Sequence, residues 1–359
     1  MAFRIKDRII GDGHPVYITF EAGPTHNGVE SAIELVELAA AAGADAIKFQ
    51  IFDPDKLVAD RALPFSYDVL LDRESGKTET VTEPLYDILC RRSMSAAHWR
   101  DVKAAADAHD IAFFATVGFE EDIELLVDLG CDSIKIASAD VNHVPLLKLV
   151  AQTDMSVQLD TGNASLGEIE QAVDIISAAG NEKIIIHQCP SGYPAHLESI
   201  NLRMIPTLKT MFPYPAAFSD HTPGWDMDIA AVALGANLIE KTITRDRTTR
   251  SVEHIMSIEE NQFRPFIQAI RDVETALGSS RRIMPAEQLE KRQAYRRSAY
   301  LKRDLPSGSV LGENDIEYRR PGYGIAPSDH DRLLGASLVR SLSAGTVLDW
   351  TDLSASEKV

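Results

Sequence analysis

The segment Gly43-Ala44-Asp45-Ala46-Ile47-Lys48 has two close counterparts further along the chain, Gly130-Cys131-Asp132-Ser133-Ile134-Lys135 and Gly235-Ala236-Asn237-Leu238-Ile239-Glu240-Lys241. Each follows a stretch rich in Ala and Leu and opens a short apolar run. Glycine suits the left-handed cap that ends a helix, so each segment predicts the passage from a helix into a strand. Such a turn alone is typical of any helix-to-strand connection. A lysine inside the strand is less ordinary, because a buried charge needs a partner.

The same alternation of short apolar runs and longer stretches of helical period extends from residue 16 to about 278. It predicts an α/β fold, a (β/α)8 barrel, whose usual length of about 250 residues matches this span. A doubly wound sheet is the main alternative, but it normally has fewer strands in a row. Helices are expected over Ser31–Ala42, Glu120–Leu129, Leu166–Ala179 and Asn261–Leu277. Strands are expected near residues 16–22, 45–52, 111–116, 133–138, 155–160, 183–189, 216–220 and 237–243.

Composition divides the 359-residue chain further. The long connection 53–95 contains a polar stretch, Arg73–Thr80, which predicts a loop at the end of the barrel where active sites lie. After the barrel the sequence becomes rich in charged residues, and then in short strands with Gly and Pro turns. We therefore expect a barrel domain over 1–283, a linker over 284–296 and a small β-rich domain over 297–359.

Charge and cysteine content bound the function classes. The 54 acidic and 36 basic residues give a net charge of −18, so general binding to nucleic acid or an anionic membrane is excluded. Cys90, Cys131 and Cys189 fit neither a metal clip nor a disulfide framework, which favours a reducing environment. The first residues lack an apolar signal core, and no stretch approaches the ~18 apolar residues that span a bilayer. A cytoplasmic protein with no membrane partner is expected.

Polar, reactive side chains lie at or after the end of every predicted strand. Catalytic groups of a (β/α)8 barrel come from the carboxyl ends of several strands, so these residues are expected to meet at one mouth. One or two such residues would be ordinary loop composition, but their presence on all the strands predicts an active site. In chain order they include Glu21, Lys48, Gln50, Thr116, Lys135, Ser138, Asp140, Asp160, Ser191, Tyr193, Ser219, His221, Glu240 and Lys241.

Two lysines at this mouth predict an anion site. Lys48 and Lys135 share a side-chain phase, and the hydroxyls of Thr116 and Ser138 could complete a cradle for phosphate or carboxylate. A salt bridge to a nearby carboxylate is the alternative for each lysine alone. Glu21 is a candidate general acid or base, with a counter-ion for Lys48 as its alternative.

Two histidines are candidate metal ligands. His221 ends the seventh predicted strand beside Asp220, and His254 follows Glu253 in a loop. An imidazole with oxygen donors suits Mn, Fe, Co or Zn. The alternatives are a structural or hydrogen-bonding role for His221 and a surface loop position for His254.

At this point the motifs carry a recognisable resemblance. The chain resembles the sialic acid synthase family, which makes N-acetylneuraminate and related nonulosonic acids such as legionaminic and pseudaminic acids, and its end resembles that family's antifreeze-like (SAF) domain. The similarity covers almost the whole chain in the right order. It lies in Glu21-Ala22-Gly23-Pro24-Thr25-His26-Asn27-Gly28, Gly43–Gln50, Lys135-Ile136-Ala137-Ser138, Cys189-Pro190-Ser191-Gly192-Tyr193-Pro194, Phe218–Gly224 and Arg319-Arg320-Pro321-Gly322-Tyr323-Gly324-Ile325.

The resemblance implies a condensation of phosphoenolpyruvate with an N-acylated hexosamine, releasing phosphate and forming a nine-carbon 2-keto acid. Tyr193 would lie near the sugar, and Glu21 would manage proton transfer. The residues implied to hold phosphoenolpyruvate are Lys48, Gln50, Thr116, Lys135, Ser138 and Ser219.

The resemblance also implies a divalent metal, often Mn, with Mg, Co and Zn as alternatives, that polarises the aldehyde. Members are domain-swapped homodimers in which an arginine of the small domain reaches the partner's barrel mouth and contacts the sugar's acyl group, and Arg320 holds that place here. The family's second metal-binding histidine is replaced by Thr242. His221 and His254 are then the expected pair, and Glu253 is the alternative to His254. Asp160 and Ser191 also depart from the usual Ser and Asn.

Two other functions stay open from the sequence. One is a 2-keto-3-deoxy sugar acid synthase that uses a phosphorylated aldose, for which Arg245, Arg247 and Arg250 could supply the second phosphate site. The other is a non-catalytic carbohydrate-binding protein, suggested by Thr242.

Overall fold

The computed structural model describes residues 1–354, and within that range eight parallel strands close into a ring. The last barrel strand pairs with both the seventh and the first. The predicted (β/α)8 barrel is therefore confirmed, and the predicted strand positions hold within two residues. The strands are β1 Tyr17–Glu21, β2 Ala46–Gln50, β3 Ala112–Val117, β4 Ser133–Ile136, β5 Ser156–Asp160, β6 Ile184–Gln188, β7 Ala216–Asp220 and β8 Leu238–Thr244.

Each barrel strand is followed by an outer helix that buries one apolar face. In the last of them, Phe263, Phe266, Ile267 and Ile270 have helical spacing and are all buried. Gly43, which ends the first, has the left-handed φ of 94° that the sequence predicted. The helices are α1 Val29–Ala42, α2 Ala96–Ala108, α3 Glu120–Asp128, α4 Val144–Ala151, α5 Leu166–Ala178, α6 Met204–Met211, α7 Asp226–Ala233 and α8 Glu260–Leu277.

The connection between β2 and α2 is more ordered than predicted. Strands Pro64–Leu70 and Thr78–Pro84 form an antiparallel hairpin, flanked by short helices Pro54–Leu57 and Leu85–Cys90. The predicted loop is therefore wrong over Thr78–Thr80. Only one residue of that strand is buried, so its sequence lacks the alternation that indicates a half-buried strand. The buried side chains of this region pack together and reach the loop after β8; they are Tyr67, Val69, Val81, Ile88 and Val252.

Smaller elements complete this part of the chain. An N-terminal hairpin of Phe3–Ile5 and Arg8–Ile10 packs Ile5 and Ile10 against the first residue of β1 and other inward barrel side chains. A short helix covers Leu197–Ile200, and strand Ile258–Glu259 pairs with the end of β8. No helix within residues 1–354 is both long and apolar enough to cross a bilayer.

The chain divides into two compact units, Met1–Gly278 and Ser279–Val359. In the second, a helix over Ala286–Tyr295 occupies most of the predicted linker. The β-rich character predicted for the small domain is confirmed by two antiparallel pairs, Ser298–Leu301 with Ile316–Arg319 and Ser337–Leu338 with Leu353–Ser354, beside the short helix His330–Leu333. Its own apolar core includes Leu301, Leu305, Leu311, Leu338 and Leu348.

The two halves of this second unit repeat one contact. Arg303 donates to Asp315 at 2.7 Å, and Arg340 donates to Asp352 at 2.8 Å in the equivalent place. In both halves the aspartate also accepts a backbone N–H, from Gly312 or Asp349. The two halves of the small domain thus share one arrangement, an Arg–Asp ion pair whose aspartate also accepts a backbone N–H.

Candidate active site

A cavity of about 380 Å³ lies at the carboxyl ends of the barrel strands. Most of the residues predicted at this mouth line it, and the hairpin connection and the loop after β8 complete its outer side. The predicted residues that line it are Glu21, Lys48, Gln50, Thr116, Ser138, Asp140, Asp160, Tyr193, His221 and Glu240.

The floor of the cavity is an ionic network, here defined as Lys48, Lys135, Asp160, Ser219 and Glu240. Lys135 lies one layer below the cavity surface and contacts Glu240 at 2.6 Å, Asp160 at 3.0 Å and Ser219 at 3.0 Å. Lys48 shares the same Glu240 at 3.3 Å. Both predicted lysines therefore converge on one point, and each has a carboxylate partner.

Glu21 is fixed from two sides. Its carboxylate accepts the backbone N–H of Gly23 at 2.5 Å and lies against the Lys48 ammonium. A Cβ at Gly23 would approach Glu21 Oε1 to 2.5 Å and Gln50 Cγ to 2.7 Å, so a larger residue would displace both side chains. Glycine in this motif therefore serves close packing of Glu21 beside Lys48.

Burial acts differently on the charged groups of the floor. Burial lowers the pKa of Lys48, although Glu240 opposes the change. Burial would also lower the pKa of Lys135, but Asp160 and Glu240 outweigh it and raise that pKa. The two lysines in turn hold the pKa of Glu240 well below its usual range, against the effect of burial. Lys135 and Glu240 are thus a fixed ion pair at neutral pH, and Lys48 is the cation more easily disturbed.

A chain of buried polar side chains continues below the floor. His187 bridges Ser219 Oγ at 2.9 Å and Gln158 Oε1 at 3.0 Å, and Gln158 donates onward to Ser133. Burial and the nearby Lys135 lower the pKa of His187 to about 4, so it is neutral at physiological pH. The strand-end signal did not identify His187, because it lies one residue before the end of β6, among apolar residues.

Above the floor, His221 Nε2 and the carboxylate of Glu253 are atoms that can bind a metal, and neither has a protein partner within the described residues. The Nδ1–H of His221 donates to the carbonyl of Pro190 at 2.9 Å, which leaves Nε2 with its lone pair free. Glu253 is 8% exposed and makes no hydrogen bond or ion pair through its carboxylate in residues 1–354. Its φ of 73° is a left-handed conformation that non-glycine residues seldom adopt. Burial raises the pKa of this carboxylate.

The outer side of the cavity is largely apolar. This wall is formed by Phe52, Leu57, Phe65, Leu85, Ile88, Leu89 and Val252. One cation interrupts it: Arg92, 5% exposed, donates through Nη2 to Ser251 Oγ at 2.8 Å and to the Val252 carbonyl at 3.4 Å. Sequence reasoning missed Arg92 because it follows a short helix of the hairpin connection rather than a barrel strand.

Besides Lys135 and Ser219, which lie beneath the cavity, three predicted barrel residues do not line it. Lys241 is fully buried, where it pairs with Asp220, donates to the Thr222 carbonyl at 2.6 Å and lies 3.7 Å from Asp228. Neighbouring strand residues point to opposite faces, and Glu240 takes the inward position. The assignment of Lys241 to substrate therefore stays a prediction that this geometry does not favour. Ser191 instead donates to the Gly162 carbonyl at 2.9 Å. His254 is engaged with Thr244 Oγ1 at 2.7 Å.

These contacts change the expected metal ligands. His254 does not line the cavity that contains His221, whereas Glu253, its alternative, does. The pair His221 and His254 stays a prediction that this arrangement does not favour. Thr242, also off the cavity, lies in β8 opposite Glu21. No set of three or more His, Cys, Asp or Glu in residues 1–354 forms a closed metal site. The two free donors, one imidazole nitrogen and one carboxylate, suit a divalent ion that takes its other ligands from water or substrate.

Arg320 belongs to the second unit. Its guanidinium lies over the ring of Tyr295 at 5.8 Å from the centroid, and its side chain is exposed. The assignment of Arg320 to a sugar site remains a prediction.

The arginines suggested for a second phosphate are occupied elsewhere. Arg245 pairs with Glu34, Arg247 donates to the Ile255 carbonyl at 2.5 Å, and Arg250 lies 3.9 Å from Glu79. None of the three lines the cavity. A wider depression of about 680 Å³ between α1 and α8 contains Arg245, but it holds none of the strand-end groups.

The geometry can now be compared with known proteins. The NeuB family model matches residues 35–282, and the SAF domain model matches residues 296–354. The chain belongs to the NeuB family. It is 34% identical over 356 residues to N,N'-diacetyllegionaminic acid synthase of Legionella pneumophila, an alignment that covers 98% of each protein.

Solved structures agree with this family. A crystal structure of N-acetylneuraminic acid synthetase from Leptospira borgpetersenii, in complex with citrate, matches with a TM-score of 0.71 and 28% identity, covering 81% of this chain and 95% of that one. Spore coat polysaccharide biosynthesis protein SpsE of Bacillus subtilis matches with a TM-score of 0.65 and 30% identity over 99% of each chain.

Proposed function

We propose that this NeuB-family protein is a transferase that condenses phosphoenolpyruvate with an N-acyl hexosamine, giving a nonulosonic acid and phosphate. Relatives named as legionaminic, pseudaminic and N-acetylneuraminate-9-phosphate synthases support this class of reaction. The observation that carries the proposal is the convergence of Lys48 and Lys135 on one carboxylate at the floor of a cavity that also contains Glu21. These are a cation cluster for an anionic substrate and a carboxylate placed for proton transfer.

The floor is the phosphoenolpyruvate site in this proposal. Lys48, Gln50, Thr116 and Ser138 reach the cavity directly, and Lys135 and Ser219 support it from below. An arriving phosphate would draw Lys48 from its shared carboxylates, since Lys48 is the cation more easily disturbed. Phosphoenolpyruvate C3 then forms a bond to the acceptor aldehyde carbon, a water oxygen is added at C2, and phosphate leaves as the 2-keto group forms.

Glu21 is the proposed acid or base. Its carboxylate is held by Gly23 N–H and Lys48, so it is oriented before any substrate arrives. The aldehyde oxygen gains a proton as the new bond forms, and the attacking water loses one. A carboxyl beside the reacting carbons can supply either transfer, and such groups contribute about 10²–10⁴-fold.

His221 and Glu253 would hold the divalent ion, with Mn as the proposed metal and Mg, Co and Zn as alternatives. Bound there, the ion would supply Lewis-acid polarisation of the aldehyde oxygen. Tyr193, whose ring lies 4.7 Å from that of His221, keeps the imidazole in place and forms a face for the sugar.

The proposal also includes a homodimeric assembly and a cytoplasmic location. The proposed assembly is a homodimer in which Arg320 contacts the acceptor in the partner's barrel. Arg320→Ala should then raise the acceptor KM, and light scattering should give twice the monomer mass. A monomeric active enzyme would rule it out. The free cysteines Cys90, Cys131 and Cys189 are compatible with a cytoplasmic location.

One assay tests the function. The protein is incubated with phosphoenolpyruvate, Mn²⁺ and a panel of N-acyl hexosamines, and phosphate release and 2-keto acid formation are measured together. We expect both products in equal amounts with at least one acceptor, and loss of activity in Glu21→Gln. Phosphate release in the absence of an acceptor, or no turnover with any of them, would reject the proposal.

A further inference from the structure

Lys241 is a fully buried cation on a face of β8 that is otherwise apolar. It lies between Ile239 and Ile243, which both pack in the main apolar core between the strands and the outer helices. An apolar side chain at this position would continue that packing. Exchanging a buried ion pair for apolar groups of similar volume often leaves stability unchanged or raises it. Stability therefore does not explain a lysine here, which indicates another role.

The ammonium of Lys241 holds both residues that flank His221. It pairs with the carboxylate of Asp220, and it donates to the carbonyl of Thr222 at 2.6 Å. The other carboxylate oxygen of Asp220 accepts the backbone N–H of Thr222 at 3.0 Å and the hydroxyl of Thr222 at 2.8 Å. Residues 220–222 thus close into a turn around one ammonium, and His221 is the central residue of this turn.

The backbone gives this turn little support. In residues 1–354, β7 pairs with β8 only as far as Asp220, so no ladder hydrogen bond extends to His221 or Thr222. The next residue is Pro223, which has no N–H to donate. The N–H of Ala195 donates to the His221 carbonyl at 2.8 Å and ties the turn to the loop after β6. Beyond the strand end, Lys241 supplies the contact that fixes the turn to β8.

We propose that Lys241 is a positioning residue that holds the turn at residues 220–222 and so keeps Nε2 of His221 in the cavity. The Pro190 carbonyl and the ring of Tyr193 set the rotation of the imidazole. Lys241 sets the place of the main chain that carries it. The role rests on the proposed function, because a metal at Nε2 is what the position serves, but the geometry is already present in the metal-free protein.

The residue before the turn is held from other directions. Ser219 Oγ accepts from Lys135 at 3.0 Å, donates to Asp160 at 2.9 Å and contacts His187 at 2.9 Å. Loss of Lys241 should therefore displace His221 and leave the ionic floor in place. This difference separates a positioning role from a general loosening of the barrel mouth.

Asp228 supplies the matched control. It lies in the first turn of α7, 3.7 Å from the same ammonium, and neither of its carboxylate oxygens has a hydrogen-bond partner within residues 1–354. Burial and the nearby Asp220 raise the pKa of Asp228. Asp228→Asn, which has the same shape and no charge, should therefore be tolerated. It alters the buried cluster around Lys241 without removing a contact that holds the turn.

The test compares full-length wild type, Lys241→Met and Asp228→Asn. Each is labelled with ¹⁵N-histidine, and the imidazole signals of the metal-free proteins are recorded by NMR at a single pH, with His221→Ala to identify the signal of His221. Mn²⁺ affinity is measured from the electron paramagnetic resonance of the free ion, and phosphoenolpyruvate affinity by calorimetry. Thermal unfolding checks that each variant is folded. If Lys241→Met does not fold, Lys241→Met with Asp220→Asn replaces it, because both charges of the pair are then removed together.

In the wild type we expect the Nδ1–H tautomer of His221, fixed by the Pro190 carbonyl. In Lys241→Met this tautomer should be lost and Mn²⁺ affinity should fall about 10- to 100-fold, as for other residues that orient a metal ligand. Phosphoenolpyruvate affinity should not change, and Asp228→Asn should match the wild type throughout.

A folded Lys241→Met that retains either the His221 tautomer or the wild-type Mn²⁺ affinity would overturn the positioning role. So would equal losses of Mn²⁺ and phosphoenolpyruvate affinity, or the same losses in Asp228→Asn. None of these results would touch the proposed function. Where the wild type binds neither Mn²⁺ nor phosphoenolpyruvate, a tautomer lost only in Lys241→Met would support the positioning role and overturn the proposed function.

Discussion

The charged residues of the cavity floor have partners of opposite charge, whereas, among the described residues, Glu253 and Arg92 higher in the cavity do not. On the floor, Lys135 has two carboxylate partners and a hydroxyl, and Lys48 lies between two glutamates. Higher up, Glu253 and Arg92 have no partner of opposite charge within ion-pair distance in residues 1–354, although both are buried. Removing one member of the paired floor would leave its partners buried without a counter-charge, which is costly. The unpaired charges higher up are already costly unless a ligand neutralises them.

The largest effect is expected from breaking the floor with Lys135→Met. The substitution leaves Glu240 and Asp160 buried without their cation, which should cost about 3–5 kcal/mol of unfolding free energy. Turnover of phosphoenolpyruvate should fall at least about 1,000-fold, since a central cation of the anion site is lost. Denaturant unfolding and phosphate release measure the two losses. Lys183→Met, at a surface lysine paired with Asp154, is the control, and a variant of Lys135 that kept near wild-type stability would contradict the ionic floor.

The two regions also differ in how well the sequence predicted them. Residues of the floor sit on strands whose register in a closed barrel is fixed, so Lys48, Lys135 and Asp160 could be placed together from their strand positions alone. Strand alternation could further have shown that Glu240 and Lys241 cannot both face inward. The wall is built by segments whose packing depends on long-range contacts of loops. Nothing local in the sequence marks Arg92 or places Glu253 on the cavity in preference to His254.

A smaller effect is expected at Glu253, one of the unpaired groups above the floor, and it concerns Mn²⁺ binding. Glu253→Gln should weaken Mn²⁺ binding at least about tenfold, because it removes one of two protein donors. Its unfolding free energy should equal that of the wild type or exceed it by up to about 1 kcal/mol, since a buried, unpartnered carboxylate opposes folding. Mn²⁺ affinity is read from the electron paramagnetic resonance signal of the free ion. His254→Ala and Glu260→Gln should bind Mn²⁺ as the wild type does; a loss in His254→Ala equal to that in Glu253→Gln would restore His254 as the ligand.

The smallest effect is expected in the pH dependence of the unfolding free energy, and it comes from His187 in the row of polar side chains below the floor. The pKa of His187 falls from 6.5 to about 4 in the folded protein, so between these values the unfolded state binds a proton that the folded state does not. Stability contributed by neutral His187 is therefore complete above pH 6.5 and is lost as the pH falls towards 4, by about 1.4 kcal/mol per pH unit. His26 and His254, whose pKa values burial also lowers to about 4, add to the same slope.

His187→Gln isolates one part of that slope. Glutamine keeps a polar side chain between Ser219 and Gln158 but does not titrate, so the variant should lose about one proton from the pH dependence of unfolding. Denaturant unfolding at pH 6.5, 5.5 and 4.5 gives the slopes for variant and wild type. Below pH 4 the two curves should run parallel, because His187 is then protonated in both states of the wild type. Equal slopes between pH 4.5 and 6.5 would mean that His187 is not held neutral beneath the floor, and that the Lys135 network ends at Ser219.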